Sequence, residues 1–445
     1  MKIAVIGLWH QGSVGAACLA DMGHEVVGAD ADVDRIANLR TGHAPLFEPG
    51  LDALIEKGLA SGRLSFTTSH AEAVRDAPYV FVMFDTPVND QDESDLTEIV
   101  RTFEAIAPAL QPHAIILVTA QVPVGTCDSL AELVRNRAPA STVTFAYVPE
   151  NLRLGQAIER FRAPPLPVIG CDHRDAYERL LLVLGPLAPE WHCVSLRTAE
   201  MMKHALNSFL AVNICFANEL GNICDAVGAD GKRIGELLRL EPRVGPRAML
   251  SPGLGFAGGT LARDLLTLRV LGDRIKQPTP LLDGAWTSNA EQNRLVVRKL
   301  ERMLPEIRGA RVAVLGLTYK PDTSTLRRSA AMEVIADLGK NGAVITAHDP
   351  KVDRQELKAH AGFTFCDDPL DALTRADALV LMTPWKEYRD IDFDSVKRRM
   401  ANPYVLDTAG MWDADRLTAL GFVYDDIGRG RHGSKLERNV SIPTE

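Results

Sequence analysis

Between Arg243 and Asp264 the chain carries Arg243-Val244-Gly245-Pro246 and then Ser251-Pro252-Gly253-Leu254-Gly255-Phe256-Ala257-Gly258-Gly259-Thr260-Leu261-Ala262-Arg263-Asp264. Glycines let backbone approach a ligand closely, and the Arg263/Asp264 pair adds one charge of each sign. Near the N-terminus, Gly7-Leu8-Trp9-His10-Gln11-Gly12 follows a short apolar run, and Asp30 lies about 20 residues beyond the turn. This is the spacing of a dinucleotide-binding unit, in which pyrophosphate sits at a helix N-terminus and the acid takes the ribose hydroxyls. Trp9 stands where the second glycine of that pattern admits the pyrophosphate, so the alternative is a doubly wound domain that has lost its cofactor. Lys320 and Arg327 offer charge to a phosphate, or are two solvated surface cations. Lys203 and Asn207, four residues apart, share a helix face, an arrangement most often found on solvated surface.

The elements that must hold these residues follow from periodicity. Ile3 to Ile6 is a short strand ended by Gly7, a helix runs through Val14, Ala17, Cys18 and Met22, and His24 to Asp30 is a second strand. The runs Tyr79–Phe84 and Ala114–Thr119 are continuously apolar, as in a parallel sheet covered on both faces, and Val143–Tyr147 and Pro167–Gly170 extend it. Ligands of such sheets bind beyond the strand carboxyl ends, which makes Asp85-Thr86-Pro87 and Gln121-Val122-Pro123-Val124-Gly125-Thr126 candidate cofactor loops, or plain proline turns. From Thr198 the period changes to three and four through Met202, Leu206, Phe209, Val212 and Phe216, predicting long helices apolar enough to form a dimer interface. Gly309–Gly316 opens a second strand-turn-helix unit, continued by strands at 343–350, 378–382 and 404–407. The glycine-rich, basic stretch from Gly428 to Glu445 reads as a mobile tail.

Composition narrows the function classes. At 445 residues the chain needs two or three domains. Its net charge of -9 argues against nucleic acid as a partner while leaving room for small anions in local basic pockets. Seven cysteines with no C-x-x-C pair disfavour a disulfide framework and a zinc site, so no metal is expected. The first residues enter a strand directly, and no apolar run approaches a membrane span, which points to the cytoplasm.

The order of these motifs resembles the nucleotide-sugar dehydrogenase family, the UDP-glucose and GDP-mannose dehydrogenases, over nearly the whole chain. The likeness is carried by Phe47-Glu48-Pro49-Gly50-Leu51, Val122-Pro123-Val124-Gly125-Thr126, Pro149-Glu150-Asn151-Leu152-Arg153 and Glu200-Met201-Met202-Lys203-His204-Ala205-Leu206-Asn207. Arg243-Val244-Gly245, Gly255-Phe256-Ala257-Gly258, Lys320-Pro321-Asp322-Thr323, Leu326-Arg327 and His348-Asp349-Pro350 add to it. The resemblance implies an α/β fold of two Rossmann-like doubly wound domains joined by a central helical region: residues 1–197 for NAD, 198–300 for dimerisation and the active site, and 301–445 for the nucleotide sugar. It implies oxidation of a sugar C6 alcohol with NAD, in which Lys203 and Asn207 stabilise the oxyanion, Asp264 orders or deprotonates water, and Glu150 belongs to the adjoining polar network. Gly7, Trp9, Gly12, Asp30, Arg35, Thr86, Gln121, Arg263 and Arg327 would face the cofactor. Leu152, Arg153, Phe256, Gly258 and Lys320 would face the substrate, with Arg243 reaching the substrate of a second subunit.

The departures from the family pattern bear on the product. Thr260 occupies the position of the family's nucleophilic cysteine, and a threonine hydroxyl is a poor nucleophile without an activating base. Leu154 and Gln121 also replace the family's glutamate and threonine. The expected product is therefore the aldehyde or, through a hydrated aldehyde, the uronic acid, since the first hydride transfer needs no cysteine and only the second oxidation is put in question. A non-oxidative epimerase with bound NAD, and a catalytically silent nucleotide-sugar binding protein, are the alternatives.

Overall fold

The computed structural model describes residues 1–87, 94–150, 152–256 and 260–429. It divides into two compact units, Met1–Leu206 and Asn207–Glu445, and the division falls inside one helix, Leu196–Val227. Among the described residues, no helix is long and apolar enough to cross a membrane.

The first unit is built on β1 (Lys2–Ile6), β2 (Glu25–Ala29), β3 (Leu64–Thr67), β4 (Tyr79–Val82), β5 (Ile115–Val118), β6 (Thr144–Tyr147), β7 (Val168–Gly170) and β8 (His192–Val194). Their order is β3-β2-β1-β4-β5-β6-β7-β8. Every residue of β4 and β5 is buried, as their unbroken apolar composition requires of strands covered on both faces. One face packs Val5, Phe81 and Leu117 against the helix α1 (His10–Asp21); the other packs Ile6, Val82 and Val118 against Phe103, Ile106 and Leu130. The first six strands run parallel, whereas β7 meets β6 antiparallel through Tyr147 and Gly170, so the sheet is mixed. The strand order reverses between β1 and β4, and beyond the carboxyl ends at such a reversal an open α/β sheet has its ligand crevice.

The second unit repeats this plan with β9 (Arg311–Leu315), β10 (Val344–His348), β11 (Thr364–Phe365), β12 (Ala378–Leu381), β13 (Tyr404–Asp407) and β14 (Val423–Asp426). The order is β11-β10-β9-β12-β13-β14, all parallel. The unit also holds the Asn207–Val227 part of the long helix and the helices Gly231–Leu238, Leu261–Arg274 and Pro280–Met303.

One expectation fails at its start. Gly428 and Arg429 are built into the second unit rather than opening a mobile tail. The Gly428 carbonyl accepts from Gly231 N–H (2.7 Å), its own N–H donates to Asp225 (3.1 Å), and Arg429 pairs with the buried Asp426. With a positive φ, Gly428 lies against Pro252, where a Cβ would stand 2.5 Å from the proline ring. Residues 430–445 lie outside the described residues.

Candidate functional site

In the first unit the β1–α1 turn meets the demands of a dinucleotide cradle. Gly7 has φ +86°, and a Cβ on Gly12 would stand 1.6 Å from the Gly7 carbonyl oxygen, so the turn closes only with glycine at position 12. Asp30, at the end of β2, is buried; its carboxylate accepts from Leu8 N–H (2.7 Å), from Asp32 N–H (3.0 Å) and from Arg35 (2.6 Å). Arg35 also lies 3.3 Å from Asp32, and its guanidinium sits 5.1 Å from the Trp9 ring centre. The Trp9 side chain thus turns outward onto Arg35, and the ring remains exposed. Thr86 and Gln121 are both buried, after β4 and β5, at the crevice where the sheet order reverses. These residues fit a dinucleotide: a cradle that a Cβ would fill, the amides at the start of α1, and an acid at the end of β2.

Lys203 is only 6% exposed, which removes the surface reading of this residue. Its ammonium donates to the Glu150 carbonyl and lies 3.8 Å from the Glu150 carboxylate; the carboxylate in turn accepts from Leu152 N–H. Two neighbouring acids fix this region. Glu200 is fully buried and accepts from Gly125 (2.6 Å) and Cys127 (2.9 Å), so the long helix holds the N-terminus of the Thr126–Arg137 helix. Glu48 accepts from His10 (3.1 Å) and from the amides of Gly155 and Ala157 (2.8 Å each). Both acids lie within motifs of the resemblance, yet neither stands out by residue type; their burial is the signal that distinguishes them. Arg153 is exposed, and Leu152 lines an apolar cavity of about 70 Å³ with Gln11, Met83, Thr119, Glu150 and Trp191.

In the second unit Asn207 is also 6% exposed and donates to Asp264, which is fully buried at the first turn of the Leu261–Arg274 helix. Arg263 is buried beside it, and Thr260 is exposed at the N-terminal end of that helix. Side-chain amides lace the glycine-rich segment in place. Asn218 accepts from Gly253 (2.9 Å) and donates to Leu254, Asn289 accepts from Phe256 (2.7 Å), Gln292 donates to Gly253 (2.7 Å), and Asn293 accepts from Gly255 (3.2 Å). A Cβ on Gly255 would stand 2.8 Å from the Asn289 side chain and 2.9 Å from the Asn289 backbone carbonyl oxygen, so a larger residue would force that helix backbone to shift. Gly258 lies outside the described residues.

The same segment forms one wall of a cavity of about 310 Å³. Gly253, Leu254 and Gly255 face Tyr319 and Lys320 after β9, with Thr383 after β12 and Thr408 after β13 completing the lining. This is the reversal point of the second sheet, where an open α/β sheet takes its ligand. Asp349 occupies the place that Asp30 has in the first unit, but its carboxylate accepts from Leu317, Thr318, Lys351 and the Trp385 indole. Lys320 is the charged group of the lining. Arg327 and Arg243 are both exposed, and Arg243 pairs with Glu241 at 2.9 Å.

The cysteines offer no evident replacement for a thiol at position 260. Burial pushes the Cys215 thiol up to about 11 and the Cys18 thiol up to about 12, and it raises Cys127, Cys171, Cys224 and Cys366 as well. Cys193 is exposed on the edge strand β8.

Comparison with known proteins gives a consistent result along the chain. Residues 1–184 match the NAD binding domain of the UDP-glucose/GDP-mannose dehydrogenase family, 197–291 its central domain, and 313–414 its UDP binding domain. The chain is 37% identical over 440 residues to the UDP-glucose 6-dehydrogenase of Rhizobium meliloti (strain 1021), covering 96% of this chain and 100% of the relative. It is 33% identical to the Pseudomonas aeruginosa UDP-glucose 6-dehydrogenase, covering 97% and 98%. Among solved structures, the UDP-glucose dehydrogenase of Pyrobaculum islandicum superposes with a TM-score of 0.85 at 31% identity, covering 92% of this chain and 94% of that one. A UDP-D-ManNAc dehydrogenase from Pyrococcus horikoshii gives a TM-score of 0.85 at 25% identity, covering 97% and 100%.

Proposed function

The chain belongs to the UDP-glucose/GDP-mannose dehydrogenase family, and from that premise we propose that it oxidises the C6 alcohol of a UDP-sugar, with UDP-glucose the first candidate, using NAD. The observation that carries the reading is the burial of Lys203, beside Glu150, and of Asn207, bonded to Asp264. NAD, when bound, would supply the acceptor for the hydride that leaves C6. Lys203 and Asn207 are the donors toward the negative charge that develops on the C6 oxygen as its proton passes to water. Asp264 orders the attacking water or accepts its proton in any second oxidation, and Glu150 holds the Lys203 ammonium in place.

Gly7, Gly12, Asp30, Arg35, Thr86 and Gln121 would hold the cofactor, and the resemblance extends that set to Trp9, Arg263 and Arg327. Lys320 and the cavity beside it would take the nucleotide, with Leu152, Arg153, Phe256 and Gly258 as further substrate residues. The division into residues 1–197, 198–300 and 301–445 is kept as the functional partition. The named relatives are dehydrogenases, which favours oxidation over the epimerase and silent-binder readings.

Removal of two electrons yields the aldehyde and one NADH; addition of water and removal of two more yields the uronic acid and a second NADH. Thr260 favours the first outcome. Purified protein incubated with NAD and a panel of UDP-, GDP- and TDP-sugars, with NADH counted per sugar consumed, decides the matter. One NADH per sugar supports the aldehyde product, two overturn it, and none on any sugar overturns the dehydrogenase reading.

A homodimer is proposed through the long helix. Phe209, Phe216 and Ile223 recur every seven residues, and all three are exposed, as is Val227. Arg243 would serve the partner's substrate. A cytoplasmic location is supported by seven cysteines that are all free.

A further inference from the structure

The crevice beyond β1 and β4 contains a charge that the cofactor reading does not use. Asp85 lies in the loop after β4, and its carboxylate accepts from Gln11 N–H in the first turn of α1 at 3.3 Å. α1 has no acidic residue of its own in that turn, and its N-cap residue, Trp9, provides no side-chain bond. The amides at the start of a helix carry partial positive charge and favour an anion, and after a glycine turn of this kind they form the pyrophosphate position. Asp85 thus brings a carboxylate from another loop to the place where a dinucleotide's phosphates would lie.

Among the described residues, no cation forms an ion pair with it. The residue keeps access to solvent, yet burial of its carboxyl among its neighbours raises its pKa, with the Glu150 charge adding to the rise. The Gln11 amide, His10 and the His10 amide oppose that rise, and the His10 ring is itself engaged with Glu48. The Arg35 guanidinium, beside the Trp9 ring, is bound to Asp30 and Asp32.

We propose that Asp85 is a built-in anionic occupant of the α1 N-terminus that competes with the cofactor's pyrophosphate and so sets the NAD affinity of this enzyme. The inference rests on the reading of the first unit as an NAD site. A fixed carboxylate both satisfies the helix end without ligand and repels two phosphates on binding, so neutralising it strengthens NAD binding.

The test is calorimetric titration of NAD into the full-length protein and into Asp85→Asn, which keeps an acceptor for Gln11 but removes the charge. Asp85→Ser removes charge and bulk together and guards against a packing effect peculiar to asparagine. The dissociation constant for NAD is expected to fall about tenfold in both variants, with the gain shrinking at high salt. Adenosine, which lacks the pyrophosphate, is expected to bind wild type and variants alike. An unchanged or weakened NAD affinity in both variants, or an equal gain for adenosine, overturns the inference and leaves Asp85 as a helix cap only. NAD binding by none of the three proteins overturns the cofactor reading itself.

Discussion

Replacing Lys203 by methionine removes the ammonium while keeping most of the side chain's volume. The magnitude follows from the site. Lys203 is 6% exposed, so a unit charge about 3 Å from a developing alkoxide, at an effective dielectric of about 20, contributes on the order of 5 kcal/mol. Part of that is spent on the Glu150 carboxylate 3.8 Å away, which leaves about 3 kcal/mol for the transition state, within the range measured for single oxyanion donors. The expected result is a fall in kcat of about 100-fold or more with little change in KM, because the alcohol of the ground state carries no charge to lose. The assay is steady-state NADH formation with the UDP-sugar, repeated with substrate deuterated at C6. If hydride transfer is what Lys203 assists, the isotope effect on kcat rises in Lys203→Met as that step becomes limiting. A kcat within threefold of wild type, or a loss confined to KM, refutes the assignment and makes Lys203 a structural partner of Glu150.

Thr260→Cys places a thiol at the exposed start of the Leu261–Arg274 helix, and where wild type forms one NADH per sugar the variant is expected to move toward two; an unchanged ratio points instead to Leu154. Lys299 is buried in the second unit, 2.8 Å from Asp225 and 3.1 Å from Asp425, so Lys299→Met leaves two carboxylates uncompensated and is expected to cost about 3–5 kcal/mol, or roughly 10 °C in melting temperature. Burial already holds the Asp225 carboxyl above its ordinary value, against Lys299 and the Gly428 amide. The folded state therefore takes up this proton more readily than the unfolded chain does, and the deficit should shrink as pH falls from about 8 to about 5, which thermal denaturation at both values measures. Phe216→Arg charges the centre of the exposed apolar stripe and is expected to convert a dimer to monomer in sedimentation analysis, while a wild type that sediments as a monomer removes the interface.

Much of the fold is legible because buried parallel strands have a simple composition: β1, β4, β5, β9, β12 and β13 are short runs of branched apolar residues ended by glycine, aspartate or threonine. The strands that composition does not reveal are at or near sheet edges. β3, β8 and β11 are partly exposed and short, and β14 carries Asp425-Asp426, which no composition rule assigns to a strand interior. They are acceptable there because Asp425 meets Lys299 and Asp426 meets Arg429, contacts that sequence distance conceals. Nor does the reversal of β7 show in the sequence, since an apolar run looks the same in either direction.

The site shows the same division between what is local and what is long-range. The Gly7 turn, Asp30 and the glycine-rich segment depend on backbone geometry, which leaves its mark in residue type. Lys203 and Asn207 resemble surface residues because a helix face reveals its burial only through its partners, and those partners, Glu150 and Asp264, are 53 and 57 residues away. A further signal lies in the last long helix. Asn289, Gln292 and Asn293 stand at spacings of three and one, which sets three carboxamides on one side of the Pro280–Met303 helix. Three amides on one helix face are costly to bury without partners, and a neighbouring stretch of bare backbone supplies such partners, its N–H groups donating and its carbonyls accepting. The amide cluster and the glycine-rich segment therefore each lack something the other provides. That complementarity of residue types is enough to set the segment against the helix, as the bonds from Gly253, Gly255 and Phe256 to these three side chains bear out.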